Sequence, residues 1–142
     1  MRSALARDPI DVSSLLAEVS QHGNGATVLF LGTVRDVNQG RAVSGIEYTA
    51  YEEMAESELE RIVCEAAAQS GTTDIVVVHR IGTLGLGDVS VAIVVAHPHR
   101  AQAYDASRYI IEEIKKRLPV WKREAYVDGT REWVRAEAVS HG

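Results

Sequence analysis

Ile75-Val-Val-Val-His-Arg80 and Val89-Ser-Val-Ala-Ile-Val-Val-Ala-His97, separated by Ile81-Gly-Thr-Leu-Gly-Leu-Gly-Asp88, decide the architecture of this chain. Both are apolar, largely β-branched runs of strand length, which predicts two buried strands. The segment Gly82-Thr-Leu-Gly-Leu-Gly87 has the look of a phosphate loop. It joins strand to strand, however, and no Gly-Lys-Ser/Thr follows, so it reads as a hairpin-type turn. That makes the pair antiparallel.

Outward from this pair, Pro98 suits the first turn of a long helix that runs to about Arg117 and is ended by Pro119. Val120 to Val127 and Glu132 to Ala138 read as a final hairpin across Asp128-Gly129, with Trp121 and Trp133 a cross-strand core pair. In the other direction, Glu52 to Gln69 is predicted helical. Met54, Leu59, Ile62, Val63 and Ala66 recur at helical spacing, and Gly71 is the stop. Ala26 to Val34 is a mostly buried strand ending at Arg35, Asp36 to Arg41 a loop, and Val43 to Tyr51 a second strand. Asp11 can cap a short helix carrying Leu15, Leu16 and Val19. The order β-β-α-β-β-α-β-β, with hairpin-like strand pairs and two main helices, predicts an α+β fold with a largely antiparallel sheet.

At 142 residues the chain is expected to be a single domain, residues 1–142. No apolar run approaches the roughly 20 residues that span a bilayer, and the start lacks a signal-peptide hydrophobic region. The single cysteine, Cys64, fits a reducing cytoplasm and reads as a packing thiol. A net charge of −5 disfavours nucleic acid as a partner and, with a local basic window, favours a small anionic substrate.

That window holds every lysine: Lys115, Lys116 and Lys122, all other cations being the twelve arginines. Lysine differs from arginine in that a desolvated amine can lose its proton and act as base or nucleophile. On the long helix, Tyr104, Ser107, Ile110, Ile111, Ile114 and Leu118 define one face. Lys115 lies about 70° from its centre, and Lys116 nearly opposite. Lys116 is therefore the solvated charge and Lys115 sits at the core border. On the following strand Lys122 and Glu124 share one side, Trp121 and Arg123 the other. Lys122 with Glu124 is either a proton-handling pair or a surface ion pair. Arg35 stands where a strand gives way to a loop, a common place for guanidinium to meet an anion. His97-Pro-His99-Arg100 opens the long helix, where backbone N–H groups favour anions. His97 reads as a strand-end packing residue, and no metal site is expected.

Five ordered motifs carry a resemblance: Phe30-Leu-Gly-Thr-Val-Arg35, Glu47-Tyr-Thr-Ala-Tyr-Glu-Glu-Met-Ala55, His79-Arg-Ile-Gly-Thr-Leu84, His99-Arg-Ala-Gln-Ala-Tyr104 and Lys115-Lys-Arg-Leu-Pro-Val-Trp-Lys-Arg-Glu124. From about Gly25 to Val134 the chain resembles the large, catalytic subunit of molybdopterin synthase, the MoaE family. Residues 1–24 match it poorly, and Arg135-Ala-Glu137 departs from its register. The resemblance implies an α+β fold with a hammerhead-like subdomain and conversion of cyclic pyranopterin monophosphate (precursor Z) to molybdopterin. It implies no bound cofactor, because sulfur comes from the thiocarboxylated C-terminus of a small ubiquitin-like subunit. It further implies a homodimer at the centre of a heterotetramer. By motif position it makes Lys115 and Lys122 catalytic and Arg35, His99, Arg100, Arg123 and Glu124 substrate-binding. Two other readings compete: a noncatalytic module gripping a ubiquitin-like tail, and a Schiff-base lyase using Lys115.

Overall fold

The computed structural model describes residues 1–135. Its elements are β1 (Arg2–Ala6), α1 (Val12–Glu18), β2 (Ala26–Thr33), β3 (Val37–Asn38), β4 (Arg41–Ala50), α2 (Glu52–Ser70), β5 (Ile75–Arg80), β6 (Gly82–Gly85), β7 (Val89–His97), α3 (Arg100–Arg117), β8 (Val120–Tyr126) and β9 (Arg131–Arg135). They form two sheets. The first has the order β1-β5-β7-β2, with β1 parallel to β5 and the other pairs antiparallel. In the second, the path β3-β4-β8-β9 is antiparallel throughout, and β6 lies off this path, pairing antiparallel with Gly45–Tyr48 of β4. This is the expected α+β class with largely antiparallel pairing.

The central strands β5 and β7 are apolar on both sides because both faces of the first sheet are covered. Helices α2 and α3 pack Leu59, Ile62, Val63, Ile110 and Ile114 onto Ile75, Val77, Ile93 and Val95. On the opposite face, Leu15 and Val19 from the α1 region cover Val76, Val78, Ala92 and Val94. A separate core of Val34, Val43, Ile46, Leu84 and Tyr126 fills the second sheet.

Helix α2 ends where expected: Gly71 takes φ 78° and returns its N–H to the Ala67 carbonyl. In α3, Lys115, Lys116 and Arg117 occupy the last turn, where cations suit the helix dipole. Leu118, restrained by the proline after it, leaves the helix in an extended conformation. Arg117 clamps this end to α2, bonding Glu58 and Glu65 at 2.6 Å each and Glu113 of its own helix at 3.2 Å.

Several expectations fail, each for a tertiary reason. The segment between β5 and β7 is not a simple hairpin turn: β6 leaves the first sheet and pairs Gly82–Gly85 with Tyr48–Gly45 of β4. Residues 1–24, weakly readable in sequence, supply a sheet strand whose partner β5 lies more than 70 residues away. Asp36 to Arg41 is not wholly loop, since β3 pairs with the start of β4. Pro98 precedes α3 instead of entering it. His99 is the N-cap, and its N–H donates to the His97 ring at Nδ1 (2.9 Å).

Tyr104 and Met54 are exposed, and Ala103 and Ala55 take the buried positions beside them. The rest of each expected face is buried or half-buried, so the departure is confined to the first turns of the two helices. Trp121 and Trp133 are not a core pair either. Trp133 stands opposite Arg123 and is 51% exposed, while Trp121 packs edge-on against Tyr51. Cys64 is exposed on α2 and is not a packing thiol. The predicted last strand extended to Ala138, and its residues past Arg135 lie outside the described residues.

Candidate active site

A cavity of about 300 Å³ opens where the end of β2, the end of α3 and strand β8 meet. Its charged wall is Arg35, Lys115, Lys122 and Glu124, and its apolar wall includes Phe30, Ile111, Ile114 and Leu118. The two lysines arrive from different elements, one from the last turn of α3 and one from β8. Between them, Leu118 and Pro119 turn the chain from helix to strand. Pairing of β8 with β4 sets Lys122 opposite Tyr48, so its side chain faces the cavity.

Lys115 is half-buried at the core border, as the helical geometry predicts. Its amine is held below the ordinary lysine range, first by desolvation, then by the positive charges of Lys122 and Arg35. Lys116 points to solvent and pairs with Glu113 at 3.4 Å, outside the cavity. Lys122 bonds Glu124 at 3.0 Å, with both side chains largely out of water. The pair lines the cavity and is not a surface ion pair.

Glu124 is 1% exposed. Its Oε1 takes Lys122, and its Oε2 accepts from Asn38 Nδ2 (2.6 Å) and from the Tyr126 hydroxyl (2.7 Å). Burial alone pushes this carboxyl up. Bonds from Tyr126, Lys122 and Asn38 reverse that and leave it below the usual carboxylate range. Glu124 therefore carries its charge at neutral pH and anchors the Lys122 ammonium.

The remaining expected residues are elsewhere. Arg123 points away from the cavity, pairing with Glu47 at 3.0 Å and lying 5.3 Å over the Trp133 ring. Strand alternation puts it on the face opposite Lys122 and Glu124. His99 and Arg100 are exposed at the opposite end of α3 and do not line the cavity. Fifteen residues of helix put Arg100 about 22 Å from Lys115. His97 is a buried strand-end residue, as expected: its Nε2–H donates to the Ser70 carbonyl at 2.9 Å while Nδ1 accepts from His99.

Sequence reading missed Asn38, Tyr48, His79 and Tyr126. Tyr126 had a usable signal, since Lys122, Glu124 and Tyr126 alternate on one side of a strand. His79 had a weaker one, a polar residue inside an apolar run. Asn38 had none, because its bond to Glu124 spans 86 residues.

His79 lines the cavity floor, donates Nδ1–H to the Arg80 carbonyl at 2.8 Å, and meets Tyr48 edge to face. Desolvation lowers its pKa to about 4, the backbone bond opposing that shift. Between pH 6.5 and 4 the unfolded chain binds a proton that the folded one refuses. Stability from His79 is therefore complete above about pH 6.5 and falls on acidification towards pH 4, by a total of about 3 kcal/mol. Urea titrations should show this slope in the wild type and a flatter one in His79→Gln. Equal slopes would rule out His79 as its source.

Comparison with known proteins identifies the family and its fold. The family model described as MoaE protein matches residues 5–117, starting at β1 and ending before Lys122. The match takes in residues 5–24 of the N-terminal segment. The "Molybdopterin synthase catalytic subunit" of Pyrococcus abyssi is 43% identical over 128 residues, covering 89% of this chain and 86% of that protein. The crystal structure of molybdopterin synthase from Staphylococcus aureus superposes with a TM-score of 0.86 at 38% identity, covering 92% and 94%. At 22% identity and a TM-score of 0.73, a complex of subunits 1 and 2 of the molybdopterin-converting factor from Helicobacter pylori shares the fold over 98% of this chain and 92% of that one. With the family model covering more than half its length, this chain belongs to the MoaE family.

Proposed function

We propose that this chain is the catalytic side of a molybdopterin synthase. It converts cyclic pyranopterin monophosphate to molybdopterin with sulfur from the thiocarboxylated C-terminus of a small ubiquitin-like subunit. The observation that carries the reading is the convergence of Lys115, Lys122, Glu124 and Arg35 on one cavity. An extended glycine tail is narrow enough to enter such a cavity, and the cations there complement a thiocarboxylate. Lys115, with its lowered pKa, polarises or transiently captures the thiocarboxylate carbonyl. Lys122, anchored by Glu124, gives and takes protons as sulfur adds and oxygen leaves. Arg35 holds the phosphate. No cofactor enters this scheme, because the partner supplies the sulfur.

The reading includes a second copy of the chain. His99 and Arg100 are about 22 Å from Lys115 along one helix, too far to grip the same small substrate. In a homodimer they reach the neighbouring cavity and bind its phosphate. The assembly acts in the cytoplasm, and no helix among the described residues is long and apolar enough to cross a membrane.

The deciding experiment combines the protein with precursor Z and a thiocarboxylated small subunit, then assays molybdopterin. Absence of product with a carrier competent in another synthase rejects the proposal.

A further inference from the structure

Asn38 and Tyr126 play no part in the scheme above, yet both spend their strongest bonds on one catalytic anchor. The carboxylate of Glu124 is almost wholly buried, and its Oε2 accepts from both of them at 2.6 and 2.7 Å. Only the amide nitrogen of asparagine can donate to a carboxylate, so the Asn38 side chain has one possible orientation. That orientation leaves its own Oδ1 buried without a partner. An amide serving only local packing would turn to satisfy its carbonyl. Gln39 (φ 50°) and Gly40 (φ 79°) form the tight turn from β3 to β4 that sets Asn38 opposite Arg41. Tyr126 is fixed on its far side by the Arg41 guanidinium, 3.5 Å over its ring.

We infer that Asn38 and Tyr126 are positioning residues for sulfur transfer, holding Glu124 ionised so that Lys122 stays pinned at the reacting carbon. This rests on the function proposed above. The charged and titratable groups facing the pair are Lys115 from α3, Arg35 after β2, Tyr48 from β4, His79 from β5 and Tyr126 from β8 itself. Apart from the two lysines, Arg35 and the Arg41 guanidinium over the Tyr126 ring, none supplies a positive charge near the carboxylate, because His79 is neutral above about pH 4. Loss of either donor therefore lets Glu124 take up a proton at a higher pH, and Lys122 loses its counter-ion.

The chain has only three lysines, which allows a test independent of the reaction. Trace acetylation followed by peptide mass spectrometry gives the labelling of Lys122 relative to solvent-exposed Lys116. In Asn38→Leu and Tyr126→Phe this ratio should rise at least about threefold as the pH falls from 7 to 5.5, and stay flat in the wild type. Wild-type behaviour in both variants overturns the inference. Tyr126→Phe removes a single oxygen and carries the test alone if Asn38→Leu does not fold. In the reconstituted reaction, both variants should lose activity mainly on the acid side and recover it at pH 8. A uniform loss at every pH marks a merely structural role and also overturns the inference. If even the wild type makes no molybdopterin, the proposed function fails while the labelling ratio still decides the positioning role.

Discussion

Lys115→Arg is expected to lower the rate of molybdopterin formation by at least about 100-fold, the usual scale for losing a group that transfers protons or attacks carbon. The substitution keeps the positive charge and most of the stem length. It removes the ability to deprotonate, since guanidinium stays charged throughout the accessible range. The surroundings of Lys115 support this expectation. Burial beside Ile114 and Leu118, reinforced by Lys122 and Arg35, lowers the proton affinity of Lys115. Lys116 lies outside the cavity in an exposed ion pair, so Lys116→Arg serves as the control and should retain wild-type rates. Rapid-quench assays with a thiocarboxylated carrier distinguish the outcomes. If both Lys115→Arg and Lys122→Arg retain near-normal rates, charge suffices and the amine chemistry is wrong.

Glu124→Leu should destabilise the fold by about 3–5 kcal/mol, the range found when one partner of a buried ion pair is removed. Leucine fits the volume, so a cavity is not the cause. The cost comes from what the carboxylate leaves behind: the Lys122 ammonium with little access to water, the Asn38 amide and the Tyr126 hydroxyl. Glu124→Gln keeps an acceptor for some of these groups and is expected to lose less. Urea denaturation at pH 7 measures the difference, and a loss below about 1 kcal/mol for Glu124→Leu would show that water reaches these groups freely. Near the acid end the two proteins should converge. The folded-state pKa of Glu124 is depressed, so its contribution is present above the ordinary carboxylate pKa and is lost as the pH falls through the lower folded value.

The two predictions differ in how far sequence alone supports them. Lys115 could be placed at the core border by counting around a helix, because the 3.6-residue period is local and Ile110 and Ile114 mark its buried side. Lys122 and Glu124 could be set on one side of a strand for the same reason, with a period of two. That they form a buried pair needed the β4–β8 register and the arrival of Asn38 from β3, which no local pattern contains. Arg123 is the reverse case. Motif position assigned it to the substrate site with its neighbours, while strand geometry had already turned it to the opposite face, where Glu47 receives it.

Sequence by itself determined the elements near the cavity: the paired apolar strands β5 and β7, helix α2 with its Gly71 stop, and the passage from α3 to β8 at Pro119. These rest on periodicity, propensity and punctuation, all local to a few residues. Tertiary structure decided which strands meet. It sent β6 away from the β5–β7 connection to the second sheet, laid β1 parallel to β5, and brought Asn38 and Tyr126 to Glu124 and His79 to the cavity. Pairings between distant segments are fixed by how much apolar surface two sheets bury together and by which buried polar groups then find partners. Neither quantity exists until the chain has folded.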